Sequence, residues 1–232
     1  MKDLAKNTLV LNLMGGPGTG KSTHAAGIFY RMKRRGINCE YIQEYAKDKT
    51  WEEDHENAER EINFTKKCQP YVTSKQWYRI VRLLGKVDVV VTDSPIITGM
   101  LYQGFGCTPS WEKWVLETFA EFNNLNIFLI RDGESHPYNP MGRSQTEEQA
   151  MEIDVKTRAI LDDNNIPYVT VKVSPTGEFN WDDAGLDAIF ELLKPKLVEI
   201  KARKAAEKAA RIASAKNDGF ISWMLSLFGY KK

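Results

Sequence analysis

The apolar run Leu9-Val10-Leu11-Asn12-Leu13-Met14, the segment GGPGTGKS from Gly15 to Ser22, and a helix-patterned stretch from Ser22 to Arg35 follow one another without interruption. Strand, glycine loop and helix in that order leave few folds open. The glycines at 15, 16, 18 and 20 let the backbone wrap tightly with its N–H groups turned inward, and the helix start behind them adds partial positive charge. Such a loop is built to cradle phosphate, and Gly15, Gly16, Pro17, Gly18, Thr19, Gly20, Lys21, Ser22 and Thr23 are the expected contacts. Lys21 is placed to reach the β- and γ-phosphates of a nucleoside triphosphate such as ATP. The Ser22 hydroxyl suits Mg²⁺, which keeps most of its waters and takes few protein ligands.

Downstream, strand and helix patterns alternate. Lys33-Arg34-Arg35-Gly36 ends the first helix with cations and a glycine, and Cys39 to Gln43 reads as a short strand. Residues 51 to 84 carry helical spacing in Trp77, Ile80, Val81 and Leu84, with Gly85 as the stop. Val87 to Thr92 is nearly all β-branched, which fits a central parallel strand covered on both faces. A helix starts at Pro109-Ser110, its aromatic spacing fitting core packing, and a fourth strand runs from Asn126 to Ile130. The Gly/Pro-rich stretch Arg131 to Gly142 is a loop. Ser144-Gln145-Thr146-Glu147 fits a capping box that opens a helix to about Leu161, and Tyr168 to Val173 makes a fifth strand. The expected fold is α/β, a three-layer sandwich around a five-stranded parallel sheet, with its ligand at the carboxyl ends of the strands.

Charge divides the chain. From Lys194 to Lys232 ten basic residues face three acidic ones, whereas residues 1 to 193 carry 22 basic against 28 acidic. The expected organisation is a domain over 1–194 and a basic helical extension over 195–232. Attraction to nucleic acid or anionic lipid is expected mainly from the extension. Its helix is expected to break at Asn217-Asp218-Gly219, ahead of the apolar Phe220 to Phe228. That segment is too short to span a bilayer; it reads as a surface that folds back on the body or pairs subunits, with membrane or partner docking as the other reading. No run of about 18 apolar residues and no secretory signal is visible, so a cytoplasmic protein is expected. Cys39, Cys68 and Cys107 are widely spaced and read as reduced thiols.

The residues around the loop discriminate between hydrolase, switch and kinase. The strand Val91-Thr92-Asp93 is followed by Ser94, so the acidic pair with which many motor-type ATPases hold metal and activate water is missing. No Asp-x-x-Gly follows a strand, and no Asn-Lys-x-Asp follows the fourth, so guanine-specific switching has no basis. A kinase remains, which needs a carboxylate near the acceptor hydroxyl, an acid for the metal's water shell and cations over the transferring phosphoryl. Glu44, at the end of the second strand, is a candidate base. Asp93 ends a buried strand, where a carboxylate is costly unless it meets a cation or metal. It could orient metal-bound water or accept the proton, and the residues alone do not separate those roles. Arg131 and Arg143 flank the Gly/Pro-rich loop, where a lid could supply positive charge, with Arg158 as a weaker candidate; His24, on the first helix after the loop, is expected to be a plain helical residue, with packing near the nucleotide as the other reading. His55 and His136 stand alone, and no cluster suggests a transition metal.

Taken together, GGPGTGKST, Glu44-Tyr45-Ala46, Thr92-Asp93-Ser94-Pro95 and Asn139-Pro140-x-Gly-Arg143-x-Gln145-x-Glu147 resemble the P-loop ATPase/kinase family that includes the nicotinamide riboside kinase module. The likeness covers residues 8 to 194 and is greatest to single-domain bacteriophage members. It implies a nucleoside-kinase-like fold, sheet order 2-3-1-4-5, ATP·Mg²⁺ as donor, Glu44 and Asp93 at the acceptor hydroxyl and Arg143 in a lid. The departure is in the acceptor pocket, where Trp51, Trp77, Tyr78 and Tyr102 reproduce no pattern tied to nicotinamide. The expected acceptor is therefore a small nucleoside- or nucleotide-type molecule. A kinase of a hydroxymethylated base in DNA is the runner-up, and a nucleotide sensor whose tail recruits a partner is the reading from another class.

Overall fold

The computed structural model describes residues 2–51, 68–102, 104–131, 146–173 and 183–227. A short helix α1 (Lys2–Ala5) leads into β1 (Leu9–Met14), the loop, and α2 (Lys21–Arg34). Then follow β2 (Cys39–Ile42), α3 (Tyr45–Trp51), α4 (Gln69–Val81), β3 (Val89–Thr92), a 3₁₀ helix (Ile96–Leu101) and α5 (Pro109–Ala120). The chain continues through β4 (Asn123–Arg131), α6 (Glu147–Asp163), β5 (Val169–Val173) and α7 (Asp183–Leu227).

The five strands form one parallel sheet in the order β2-β3-β1-β4-β5. This is a three-layer sandwich around a parallel sheet, as the alternation of strands and helices predicted, in the strand order that the resemblance implied. Every residue of β1 and β3 is buried, because both faces of the central strands are covered. On one face Leu9, Leu11, Leu13 and Val89 pack with Ile28 and Met32 of α2 and with Leu186, Ile189 and Leu193 of α7. On the other, Val10, Met14 and Val90 pack with Ile80, Trp111, Val115 and Leu161. Register places Tyr41 beside Val91 and Ile42 beside Thr92, so β2 and β3 deliver Glu44 and Asp93 to one sheet end, next to the loop that follows Met14.

Three local expectations are corrected. The fourth strand begins three residues before Asn126, because asparagines stitch it to β1: Asn12 Nδ2 donates to Asn124 Oδ1 at 2.9 Å and to Asn126 Oδ1 at 2.8 Å. The capping box of α6 is Thr146 with Gln149, two residues beyond the expected pair. Gln149 N donates to Thr146 Oγ1 at 3.3 Å while Thr146 N donates to Gln149 Oε1 at 2.9 Å. Both four-residue patterns are present in the sequence, and the structure uses the later one. The last helix does not break at 217–219 but runs on to Leu227, the alanine-rich flank outweighing one glycine's cost of about 1 kcal/mol.

Helix α7 also anchors itself beyond residue 194. Leu197 and Ile200 are buried in the core, Lys204 Nζ donates to Asp88 Oδ1 at 2.5 Å, and Asn7 Nδ2 donates to Glu207 Oε2 at 2.7 Å. From residue 208 to 215 the helix is exposed. No helix among the described residues is long and apolar enough to cross a membrane.

Candidate active site

The loop keeps its shape through backbone conformations that suit glycine. Gly20, with φ of 77°, turns the chain into α2, and Gly15 and Gly18 also have positive φ. At Gly16 the constraint is space, since a Cβ there would stand 2.2 Å from the Ala150 carbonyl oxygen of α6. Thr19 Oγ1 donates to Gly16 O at 3.0 Å, and Lys21 Nζ donates to Gly15 O at 2.7 Å and Gly16 O at 2.9 Å. Lys21 thus braces its own loop. Burial pushes its ammonium pKa down, against the charges of Glu44, Asp93 and Asp154, which raise it.

Glu44 and Asp93 both act electrostatically on Lys21. Burial raises the Glu44 carboxyl above its ordinary value, Lys21 pulls it back and Asp93 adds to the rise. Asp93 is 4% exposed; its Oδ2 accepts from the Tyr41 hydroxyl at 2.8 Å, and its Oδ1 is buried with no hydrogen-bond partner. Ser22, on the first turn of α2, lies close enough to this corner to act on the Tyr41 phenol. Burial first, then the Asp93 charge and hydrogen bond, push the Tyr41 phenol far above its usual range, so Tyr41 stays a neutral donor.

A buried oxygen of Asp93 without a partner and the Ser22 hydroxyl offer the sparse, hard-oxygen donor set that suits Mg²⁺. The loop's inward N–H groups and the start of α2 suit a triphosphate. The residues present fit Mg²⁺ and ATP.

Arg131 leaves the end of β4 and forms an ion pair with Asp154 of α6, while its second guanidinium nitrogen donates to Pro17 O at 2.6 Å. Asp154 also accepts from Gly16 N. One carboxylate therefore ties α6 and β4 to the loop. Arg158, further along α6, lays its guanidinium 4.6 Å over the Phe128 ring. His24 is buried, its Nδ1 2.8 Å from Gly20 O, and acts within the helix start. Thr23 is exposed on the first turn of α2. Arg143, His55 and His136 lie outside the described residues.

The aromatic residues separate. Trp77 packs edge-on against Trp114 at 6.0 Å between ring centres and belongs to the core. Tyr102 lies near Glu44; burial and that charge push its phenol up to about 12. Tyr78 is 61% exposed on the outer face of α4.

Tyr41, Gln76 and Asp154 were not legible beforehand. Gln76 is buried; its Oε1 accepts from Tyr45 N at 3.0 Å and its Nε2 donates to Thr92 Oγ1 at 3.2 Å. It bridges the residue after Glu44 to the residue before Asp93, and so sets the spacing of the two carboxylates. The signal for Tyr41 was its place two positions before the strand end, which becomes meaningful only once the register with β3 is known.

Comparison with known proteins agrees with this architecture. A family model described as AAA domain matches residues 10–178. No curated protein matches the chain. Among solved structures, thymidylate kinase from Ehrlichia chaffeensis is similar with a TM-score of 0.51 and 14% identity, covering 80% of this chain and 98% of that one. A protein designated APE1195 is similar at 16% identity over 81% of this chain and 95% of its own, with a TM-score of 0.41. The likeness to the thymidylate kinase extends to the fold.

Proposed function

The chain belongs to the AAA domain family, and we propose that it is an ATP- and Mg²⁺-dependent phosphotransferase that moves the γ-phosphoryl group to a hydroxyl of a nucleoside- or nucleotide-type acceptor. The observation that carries this reading is the convergence of two carboxylates, Glu44 and Asp93, on the loop lysine Lys21. A motor-type hydrolase carries two adjacent acids at one strand end, one for the metal and one for the water. Two acids from neighbouring strands, with Ser94 where a second acid of a hydrolytic pair would stand, suit a reaction with an acceptor hydroxyl.

In this reading Glu44 takes the proton as the acceptor oxygen bonds to the γ-phosphorus and the bond from that phosphorus to the bridging oxygen breaks, releasing ADP. Glu44 is the better base of the two, because burial raises its carboxyl while one Asp93 oxygen is occupied by Tyr41. Asp93 and Ser22 would hold Mg²⁺, which neutralises phosphate charge when bound. Lys21 offsets charge on the phosphates, Arg131 keeps the loop in shape through Pro17 and Asp154, and Arg143 would add positive charge over the transferring phosphoryl. Gln76 keeps Glu44 and Asp93 apart at a set distance.

The test is γ-labelled ATP offered with pools of nucleosides, nucleotides, nicotinamide riboside and DNA containing hydroxymethylated bases. Label is expected on an acceptor, and is expected to disappear in Lys21→Ala and Asp93→Ala. ATP binding with slow hydrolysis across the whole panel would overturn the reading.

A further inference from the structure

A second cavity lies on the outer side of this site, along the free edge of β2. Its volume is about 530 Å³, and Tyr41, Gln43, Asp48, Lys75, Tyr78 and Arg82 are among its walls. Among the described residues β2 ends the sheet, and its outer side carries no strand neighbour. Across the gap stands α4, which presents Lys75, Tyr78, Arg79 and Arg82 at helical spacings of three, four and seven, hence on one face. The opposite face, with Thr73, Gln76 and Ile80, is buried.

The cations are not equivalent. Arg79 is held: it pairs with Asp48 at 2.5 Å, donates to Gln43 O at 3.3 Å and lies 4.8 Å over the Tyr45 ring. Lys75 sits 5.4 Å over the Tyr71 ring, and neither it nor Arg82 meets a carboxylate among the described residues. Among the described residues these two cations are thus not matched by an acid. Along the helix axis their backbone positions lie about 10 Å apart, two turns of one face. Between them projects Tyr78, a large exposed ring with an apolar face.

We propose that this groove binds a single strand of nucleic acid, with Lys75 and Arg82 on successive phosphates and Tyr78 under a base. Spaced cations with an aromatic platform between them are the chemistry that tracks a sugar-phosphate strand, because stacking serves any base while the cations follow the backbone. The inner wall supplies the link to the catalytic corner: Tyr41 lines the groove and its hydroxyl holds Asp93. A nucleotide seated there lies one side chain from the carboxylates. The acceptor class is then a hydroxyl carried on a polynucleotide, a conclusion that rests on the phosphotransferase reading, whereas strand binding does not.

The test is fluorescence anisotropy with an end-labelled single-stranded DNA oligonucleotide of mixed sequence and the full chain. Lys75 and Arg82 are expected to contribute about −1.4 to the log–log salt slope, two phosphates at about 0.7 each, on top of any share from the basic extension. Lys75→Ala with Arg82→Ala is expected to flatten that slope, and Tyr78→Ala to weaken binding about five- to a hundredfold. All three positions are exposed, so circular dichroism and the melting temperature are expected to stay at the parent values. No binding, binding indifferent to these substitutions, or equal competition by a mononucleotide or inorganic phosphate would overturn the proposal. Oligonucleotide binding that persists in Asp93→Ala while no label transfers in the parent would sustain the groove and remove the phosphotransferase reading.

Discussion

Tyr41 donates its phenolic hydrogen bond to Asp93 across 2.8 Å, from a strand position diagonal to the carboxylate it holds. The edge strand thereby orients the acid that ends its neighbour. Tyr41→Phe keeps the ring and its contact with Phe29 but removes the hydroxyl from a buried acid. A hydrogen bond to a charged group contributes about 1.5–3 kcal/mol, so the turnover of the proposed transfer is expected to fall about ten- to a hundredfold. Nucleotide affinity, measured by titration calorimetry, is expected to change little. An equal loss in both would assign Tyr41 to general folding instead.

Glu44 makes the site pH-sensitive. Its carboxyl titrates above the ordinary 4.5 because burial disfavours its charge. In the window above that value the folded chain binds a proton that the unfolded chain has released, so stability falls as pH rises through it. Glu44→Gln carries no such charge. Urea midpoints of parent and variant are expected to be similar below the ordinary glutamate value and to separate above it, the variant becoming the more stable. If Glu44 is the base, the acid limb of the parent's kcat profile also lies above the ordinary carboxylate range; a limb at ordinary glutamate pH would exclude that role.

Asp154 and Gly16 couple the loop to α6. Gly16→Ala inserts a methyl group against the Ala150 carbonyl oxygen, and either the loop or the helix must move. Overpacking of this kind costs about 1–3 kcal/mol, visible in thermal unfolding. Asp154→Ala leaves Arg131 without its carboxylate and Gly16 N without its acceptor, at a further cost of about 1–3 kcal/mol. Both variants are expected to bind a non-hydrolysable ATP analogue more weakly than the parent, in a calorimetric titration. Unchanged affinity in both would show that the loop holds its shape without α6.

Truncation tests the division of the chain at residue 194. Ending the chain after 194 removes Leu197 and Ile200 from the core, each worth roughly 1.5–3 kcal/mol of burial, together with the Lys204–Asp88 pair. Ending it after 207 removes exposed helix up to 215 and the segment beyond. The first truncation is expected to lower the melting temperature markedly and the second to leave it close to the parent value. Equal melting temperatures for both would place the boundary at 194.

Cys39 offers a control on the core. Burial pushes its thiol up to about 11, so little thiolate forms near neutral pH. Alkylation of the native chain followed by mass mapping is expected to leave Cys39 unmodified while Cys68 and Cys107, both partly exposed, react.

Local patterning was sufficient for the loop, the buried strands and the parallel sheet, since glycine spacing, β-branched runs and helix stops act over a few residues and need no distant partner. The placement of Glu44 and Asp93 at one sheet edge was legible for the same reason: Asp93 directly follows β3, Glu44 lies two residues past the end of β2, and strand ends in such sheets meet at one edge. Three kinds of fact waited for the tertiary structure. Asn124 extends β4 because an asparagine in β1 faces it, a pairing that no hydropathy pattern encodes. Tyr41, Gln76 and Asp154 act across register and between elements, 52, 16 and 138 residues from their partners Asp93, Thr92 and Gly16. The basic groove exists because an edge strand and one face of α4 happen to oppose each other. A residue's type sets what chemistry it can do, and the packing of the elements sets which other residue it meets.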